Sequence, residues 1–414
     1  MPTGSTLRAM NIRVSAVVVV NLVTALAGAD PSITSTFSSM FQMGSSLNTT
    51  ARATQMTWGP DNRVYVSSDN NGVQSYAYNK STGTLSDSRQ AVSGINGLGI
   101  AFHGGDMYLS SLNGSIYKLT DSNHNGIFGE TNETKVAIVT GIPIGDHSVD
   151  NIQIKGNTLY VGIGLRTING RRGEWTSGSH DDYGGKGFWS GGIGKTWGDS
   201  AYGGTISWIQ DLTKVADTTG SANVYGNTTV TDALIHDASP FSNAVNKLTI
   251  HSAGTRNPFG LALDKNGDLY FSANFNRTDT NGDGTSGFGL HGDVFNGDFS
   301  KNVHDQFFKA SQGGDYRYAN DVWRGNTPFL NPNATGYHQV KSLTFDNLDN
   351  KGPYTLTDPA NPDGLGPSSS SDGFSFFYSS NLKQLSGDAF LPHNIRKSKS
   401  GRHSFAYVCR LGGN

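Results

Sequence analysis

Apolar and polar residues alternate in four short stretches of the chain, and the four share one plan. They are "MTWGPDNRVYVSS" (56–68), "IAFHGGDMYLSS" (100–111), "IQIKGNTLYVGIG" (152–164) and "LALDKNGDLYFSA" (261–273). A period of two puts every second side chain on one face, which is the pattern of a half-buried strand. The polar insert in each stretch is rich in Gly, Asn and Asp, so each predicts a β-hairpin with a tight turn. A tyrosine recurs in the second strand, at Tyr65, Tyr108, Tyr160 and Tyr270, with spacings of 43, 52 and 110 residues. The last spacing is about twice the others and predicts a degenerate copy near "GTISWIQDL" (204–212). Strand-like stretches follow at "KSLTFDN" (341–347) and "DGFSFFYSS" (372–380).

A repeat of about 40–55 residues with several short strands in each is the signature of a β-propeller blade. A β-sandwich of hairpins has turns at similar intervals, but it rarely repeats one aromatic-bearing hairpin at blade spacing. The expectation is therefore an all-β chain folded as a six-bladed β-propeller with long loops. Its last copy has only begun when the chain ends at Asn414, so the last blade is expected to be truncated.

Composition agrees with short strands and excludes several classes of function. There are three glutamates (Glu130, Glu133, Glu174) against 54 glycines, so helix formers are scarce and turn formers plentiful. A formal net charge of -2 offers no basic surface for nucleic acid. The single cysteine, Cys409, rules out an internal disulfide framework and thiolate metal clusters. At the N-terminus, Arg8 and Arg13 precede an apolar run from Val14 to Ala29 that ends in Ala27-Gly28-Ala29. That layout predicts a secretory signal peptide over residues 1–29, interrupted by Asn21 and short for a bilayer span. A lead-in (30–50) and the propeller (51–414) would follow, secreted or periplasmic, with no membrane span once the signal is removed.

In a propeller, loops on one face converge on the axis, so polar residues just before an innermost strand are candidates for chemistry. Two segments qualify: "GIPIGDHSVDNIQIKG" (141–156) and "GTRNPFG" (254–260). His147 beside Asp146 offers a general base near neutral pH, although a loop histidine is more often simply solvated. Arg256 offers a rigid fork of donors for carboxylate or quinone oxygens, although an arginine before a strand is often one half of a salt bridge. Pro258 fixes its own φ and extends Asn257, which stiffens the approach to the strand. Two loops, "DSNHNGIFGETNE" (121–133) and "DTNGDGTSG" (279–287), carry Asp or Asn at alternate positions before a glycine. Asp121, Asn123 and Asn125, and likewise Asp279, Asn281 and Asp283, suit either structural calcium sites or plain Asx turns. The Gly-rich segment 166–199, with Arg166 and three tryptophans, suits a sugar-facing loop or a surface loop equally well.

Four stretches carry a family resemblance: "GINGLGIAFHGGDMYLS" (94–110), "GDHSVDNIQIKGNTLYVGIG" (145–164), "GTRNPFGLALDKNGDLYFS" (254–272) and "DQFFKASQGGDYRYAN" (305–320). Through them the chain resembles the soluble quinoprotein glucose/sorbosone dehydrogenases, six-bladed propellers that hold pyrroloquinoline quinone and Ca2+ on the axis and oxidise sugars. The resemblance implies that His147 takes the hydroxyl proton while hydride leaves the sugar carbon, with Asp146 against the substrate. It implies cofactor binding by Arg256 and Asn257, with Arg256 stabilising negative charge on the quinone and so also assisting catalysis. The backbone carbonyls of Phe275 and Asn276 would hold the axial calcium. Arg396 stands nearest the family's cofactor-binding lysine, and Arg166 is a further cation for the cofactor. The chain departs from the family at "NFNR" (274–277), where the family has Gly-Pro, and at Ile95, where it has a sugar-contacting glutamine. A pair of cofactor-binding arginines would fall beyond Asn414.

The expected function is oxidation of an aldose or related polyol, with the electrons passed on to a separate acceptor. Two other readings stay open: a non-catalytic propeller that binds a glycan or protein, and a calcium-dependent lactonase or hydrolase.

Overall fold

The computed structural model describes residues 53–142, 144–145, 147–165, 200–215, 223–224, 248–274 and 306–314, with further strands at 354–356, 375–376, 389–397 and 401–411. The alternating stretches form strands as their pattern requires. The first sheet is an antiparallel meander of β1 (Ala53–Trp58), β2 (Arg63–Ser68), β3 (Gly72–Asn79) and β4 (Thr84–Val92). The second repeats that order with β5 (Gly97–His103), β6 (Asp106–Ser111), β7 (Ser115–Leu119) and β8 (Lys135–Val139). The third comprises β9 (Val149–Lys155), β10 (Thr158–Ile163), β11 (Thr205–Ile209) and β12 (Thr249–Ala253). The fourth shows three strands, β13 (Asn257–Leu263), β14 (Leu269–Asn274) and β15 (Gln306–Lys309).

Each recurrent hairpin is thus the first two strands of a sheet. The turns use the residues that the geometry demands. Gly267 turns β13 into β14 at φ +78, while Asp264 Oδ1 accepts from the amides of Asn266 and Asp268 at 2.9 and 2.8 Å. A fifth sheet, with strand order β16 (Tyr354–Leu356), β19 (Gly401–Leu411), β18 (Ala389–Lys397) and β17 (Ser375–Phe376), departs from the meander.

The arrangement is a β-propeller in which β1 packs on β5, β5 on β9 and β9 on β13, so the first strand of each sheet lies innermost. Among the described residues it has four such blades, not the six that the spacing suggests. The segment 204–212 is not a degenerate hairpin; it supplies β11, the third strand of the third sheet, paired to β10. The doubled tyrosine spacing reflects two long connections within that sheet, between β10 and β11 and between β11 and β12. Residues 341–347 lie outside the described residues, as does the segment 1–29; no helix among the described residues is long and apolar enough to cross a membrane.

The core lies in the seams between sheets. Tyr65 packs with Ile95, Ile100, Met107 and Phe128 between the first and second sheets. Tyr108 packs with Ile138, Val149 and Val161 between the second and third, and Tyr160 lies against Leu261 and Phe271 between the third and fourth. The recurrent tyrosine therefore has a packing reason: Tyr65, Tyr108 and Tyr160 each cover the neighbouring sheet. Ile95 is 4% exposed in this core, so it is a packing residue of the first seam. Polar side chains near the axis stitch the inner strands together. Gln55 Nε2 donates to Ile152 O at 3.2 Å, and Gln55 Oε1 accepts from Ile100 N at 2.7 Å and Ile152 N at 3.4 Å. Gln153 Nε2 donates to Leu261 O at 2.9 Å.

Candidate active site

The two segments singled out for chemistry converge on the end of β10. His147 lies two residues before β9 and Arg256 one residue before β13, so both stand where an inner strand begins. Leu165, just past β10, joins them: its carbonyl accepts from His147 N–H at 3.1 Å, and its N–H donates to Arg256 O at 2.8 Å. Gly145 N–H donates to His147 O at 2.9 Å, and Gly164 N–H to Ser148 O at 3.0 Å, which completes a tight backbone wrap around the histidine.

Side chains meet at the same place. A Cβ on Gly164 would lie 2.3 Å from His147 Cβ and 2.6 Å from Asn257 Oδ1. The imidazole and the amide are therefore immediate neighbours across the seam between the third and fourth sheets. His147 is half-buried with its Nε2 shielded from solvent, and Arg256 is half-buried beside it in sequence. Asn257 is 6% exposed, and its Oδ1 is buried with no hydrogen-bond partner. Asn151 Oδ1 on β9 and Thr255 Oγ1 in the second lead-in are likewise buried and unpartnered. Buried polar atoms are nearly always satisfied, so the unpartnered Asn257 Oδ1 beside His147 is a candidate contact for a polar group. The Asn257 amide can offer either end to such a group, since its O and N exchange by rotation.

Of the other expected site residues, Asp146, Arg166, Phe275, Asn276, Asp279, Asn281 and Asp283 lie outside the described residues. Arg396 lies on β18, in register with Arg402 of β19. Asp121, Asn123 and Asn125 use their oxygens on their own loop. Asn125 N–H donates to Asp121 Oδ1 and Asn123 Oδ1, each at 3.0 Å, and Gly126 N–H to Asp121 Oδ2 at 2.9 Å. That is an Asx-turn pattern. Among the described residues no three His, Cys, Asp or Glu side chains gather as a metal site.

Gly162, Gly164 and Leu165 were not singled out by sequence. A signal for the first existed: the residue two after the recurrent tyrosine is Ser67, Ser110 and Ser272 in the other hairpins and Gly162 here. A second buried histidine, His251 on β12, is 6% exposed and sits edge-on between Tyr160 and Trp208, with ring centroids at 5.4 and 4.8 Å. Burial pushes its imidazole down to about 4, so it is neutral and structural at ordinary pH.

Solved structures to which the chain is similar include the following three. A carbohydrate-active enzyme of family AA12 from Trichoderma reesei, in a calcium structure, shares 15% identity over 86% of this chain and 78% of its own, with a TM-score of 0.48. The holo PQQ domain of pyranose dehydrogenase from Coprinopsis cinerea shares 10% identity over 83% and 71%, with a TM-score of 0.46. The PQQ-bound aldose sugar dehydrogenase from Streptomyces coelicolor shares 15% identity over 86% and 83%, with a TM-score of 0.38. No protein-family model matches the chain, and no curated protein does.

Proposed function

We propose that this protein is an exported sugar dehydrogenase that works with pyrroloquinoline quinone and calcium. The observation that carries the reading is the meeting of His147 and Asn257 over Gly164, with Arg256 pinned to the same turn through Leu165. This brings together, where two inner strands begin, two of the four sequence segments on which the family resemblance rests.

When bound, the quinone supplies a two-electron acceptor for the hydride that leaves a sugar carbon. His147 Nε2 takes the proton of the hydroxyl on that carbon, so the C–H and O–H bonds break and a carbonyl forms. The shielding of Nε2 keeps water from competing for the proton and strengthens its electrostatic coupling to the substrate. Arg256 balances the negative charge that accumulates on the acceptor side, and the Asn257 amide fixes the anion's orientation. Asp146 orients the sugar, and Arg166 and Arg396 add positive charge. The carbonyls of Phe275 and Asn276 would hold the calcium, and Asp279, Asn281 and Asp283 would supply oxygens for a structural calcium loop, whereas Asp121, Asn123 and Asn125 are engaged in their own Asx turn. Electrons leave to a separate acceptor.

The test is reconstitution of the purified protein with pyrroloquinoline quinone and Ca2+, followed by sugar-dependent bleaching of an artificial electron acceptor. Absence of quinone binding at micromolar concentration sinks the reading. His147→Ala is expected to retain quinone and to lower turnover by about 10²–10⁴-fold, the usual contribution of a general base. Full turnover in that variant removes His147 from the role.

A further inference from the structure

We infer that the end of β10, Gly162 to Leu165, is a positioning element that sets the spacing between His147 and Asn257, and that Gly164 is its critical residue. Its catalytic meaning rests on the dehydrogenase reading above; its geometric content does not.

The argument starts from the repeat. In the first two sheets the residue two after the recurrent tyrosine is a serine that reaches the next inner strand. Ser67 Oγ lies 3.2 Å from Leu98 O, and Ser110 Oγ donates to Asp150 O. Leu98 and Asp150 are each the second residue of their inner strand, β5 and β9. The equivalent carbonyl in the fourth sheet belongs to Pro258, the second residue of β13. The residue that should reach it is Gly162, and a Cβ there would lie only 2.2 Å from Pro258 O. With no side chain between them, the two strands lie closer than in the earlier seams.

Two residues on, and so on the same face of the strand, Gly164 repeats the device. Here the close neighbours are the proposed base and the proposed anion ligand, at 2.3 Å from His147 Cβ and 2.6 Å from Asn257 Oδ1. Neither glycine has positive φ, so the conformation suits any residue, and close approach is the reason for glycine. The two contacts differ in kind. Asn257 Oδ1 ends a rotatable side chain and can turn away, but His147 Cβ is fixed to its backbone. That backbone is tied to Leu165 O, and Leu165 N is tied to Arg256 O. A methyl at position 164 therefore displaces the histidine and, through Leu165, strains its link to the second lead-in.

The decisive variant is Gly164→Ala. Its control is Gly97→Ala, at the start of β5, where a Cβ meets nothing closer than 3.4 Å. The His147 ring resonances and the Asn257 side-chain amide resonances are recorded by NMR without cofactor. Quinone affinity and the pH profile of turnover are then measured on the reconstituted enzyme. Gly164→Ala is expected to move both sets of resonances, to weaken quinone binding and to lower kcat by about a hundredfold, the scale of an ångström misplacement. The sugar KM should change little, and Gly97→Ala should leave all of these unchanged. Wild-type resonances, quinone affinity and pH profile in Gly164→Ala overturn the inference. Should wild-type protein bind no quinone, the dehydrogenase reading fails, and the resonance shifts alone decide the positioning claim. If Gly164→Ala does not fold, amide hydrogen exchange of the wild-type protein decides it. His147 and Leu165 amides protected together support the pin, and exchange of either at open-loop rates overturns it.

Discussion

Replacing His251 with phenylalanine should change how stability depends on pH, by an amount that the structure sets. The ring is 6% exposed and packed between Tyr160 and Trp208; its one polar neighbour of note, Ser252 Oγ, is 3.4 Å from Nδ1. Burial disfavours the charged form, so the folded imidazole titrates near 4, against 6.5 when unfolded. Between those values the unfolded chain binds a proton that the folded chain refuses. The stability that this group confers is therefore complete above pH 6.5 and is lost as the pH falls towards 4, at ~1.4 kcal/mol for each pH unit. Over the whole window the loss is about 3 kcal/mol, a large share of a typical domain's stability. Phenylalanine keeps an aromatic ring between Tyr160 and Trp208 and removes the titration. Urea unfolding of both proteins from about pH 7.5 to about pH 4.5 measures the effect, since the slope of stability against pH counts protons taken up on unfolding. The wild type should lose stability more steeply, by close to one proton. Parallel curves would refute the assignment of His251 as a buried neutral ring. The consequence reaches the site, because Tyr160 belongs to β10, whose end seats His147.

Two further substitutions test the stitching of the sheets. Ser110 is fully buried, accepts from Gly99 N–H at 2.7 Å and donates to Asp150 O, so Ser110→Ala leaves two buried backbone groups short of a partner. A loss of about 1–3 kcal/mol is expected in chemical denaturation, and an unchanged midpoint would contradict it. Gln55→Leu removes the amide that bridges Ile100 and Ile152 and should cost about 2 kcal/mol. Faster hydrogen exchange at the amides of Ile100 and Ile152 is its local signature, and unchanged protection there would count against the bridge.

The hairpins were legible in sequence because their determinants are local. Alternation fixes the faces, and residues such as Gly267 fix the turns, so Tyr65, Tyr108, Tyr160 and Tyr270 mark the second strand of four successive sheets. What alternation cannot show is which strand a lone stretch becomes. Residues 204–212 carry the pattern of a strand, but their place as β11 depends on pairing to Leu159–Ile163 across a long connection. The site divides in the same way. His147 and Arg256 stood out as unusual residues before apolar runs. Gly164 did not, because nothing about a glycine at a strand end signals that two segments more than 90 residues apart in the chain close on it. Ile95, which stands where the resemblance has a sugar-contacting glutamine, lies in the core with Tyr65 and Met107.

Gln55 has a bearing on time as well as on stability. Its partners lie 45 and 97 residues along the chain, on the inner strands of the next two sheets. Such an amide gains nothing from the first sheet alone and only its bond to Ile100 from the first two; its bonds are complete only once the third has docked. If such contacts form after the rate-limiting step of assembly, they act on the unfolding rate far more than on the folding rate. One glutamine near the axis thus ties three sheets together, and its worth lies in how long they stay docked.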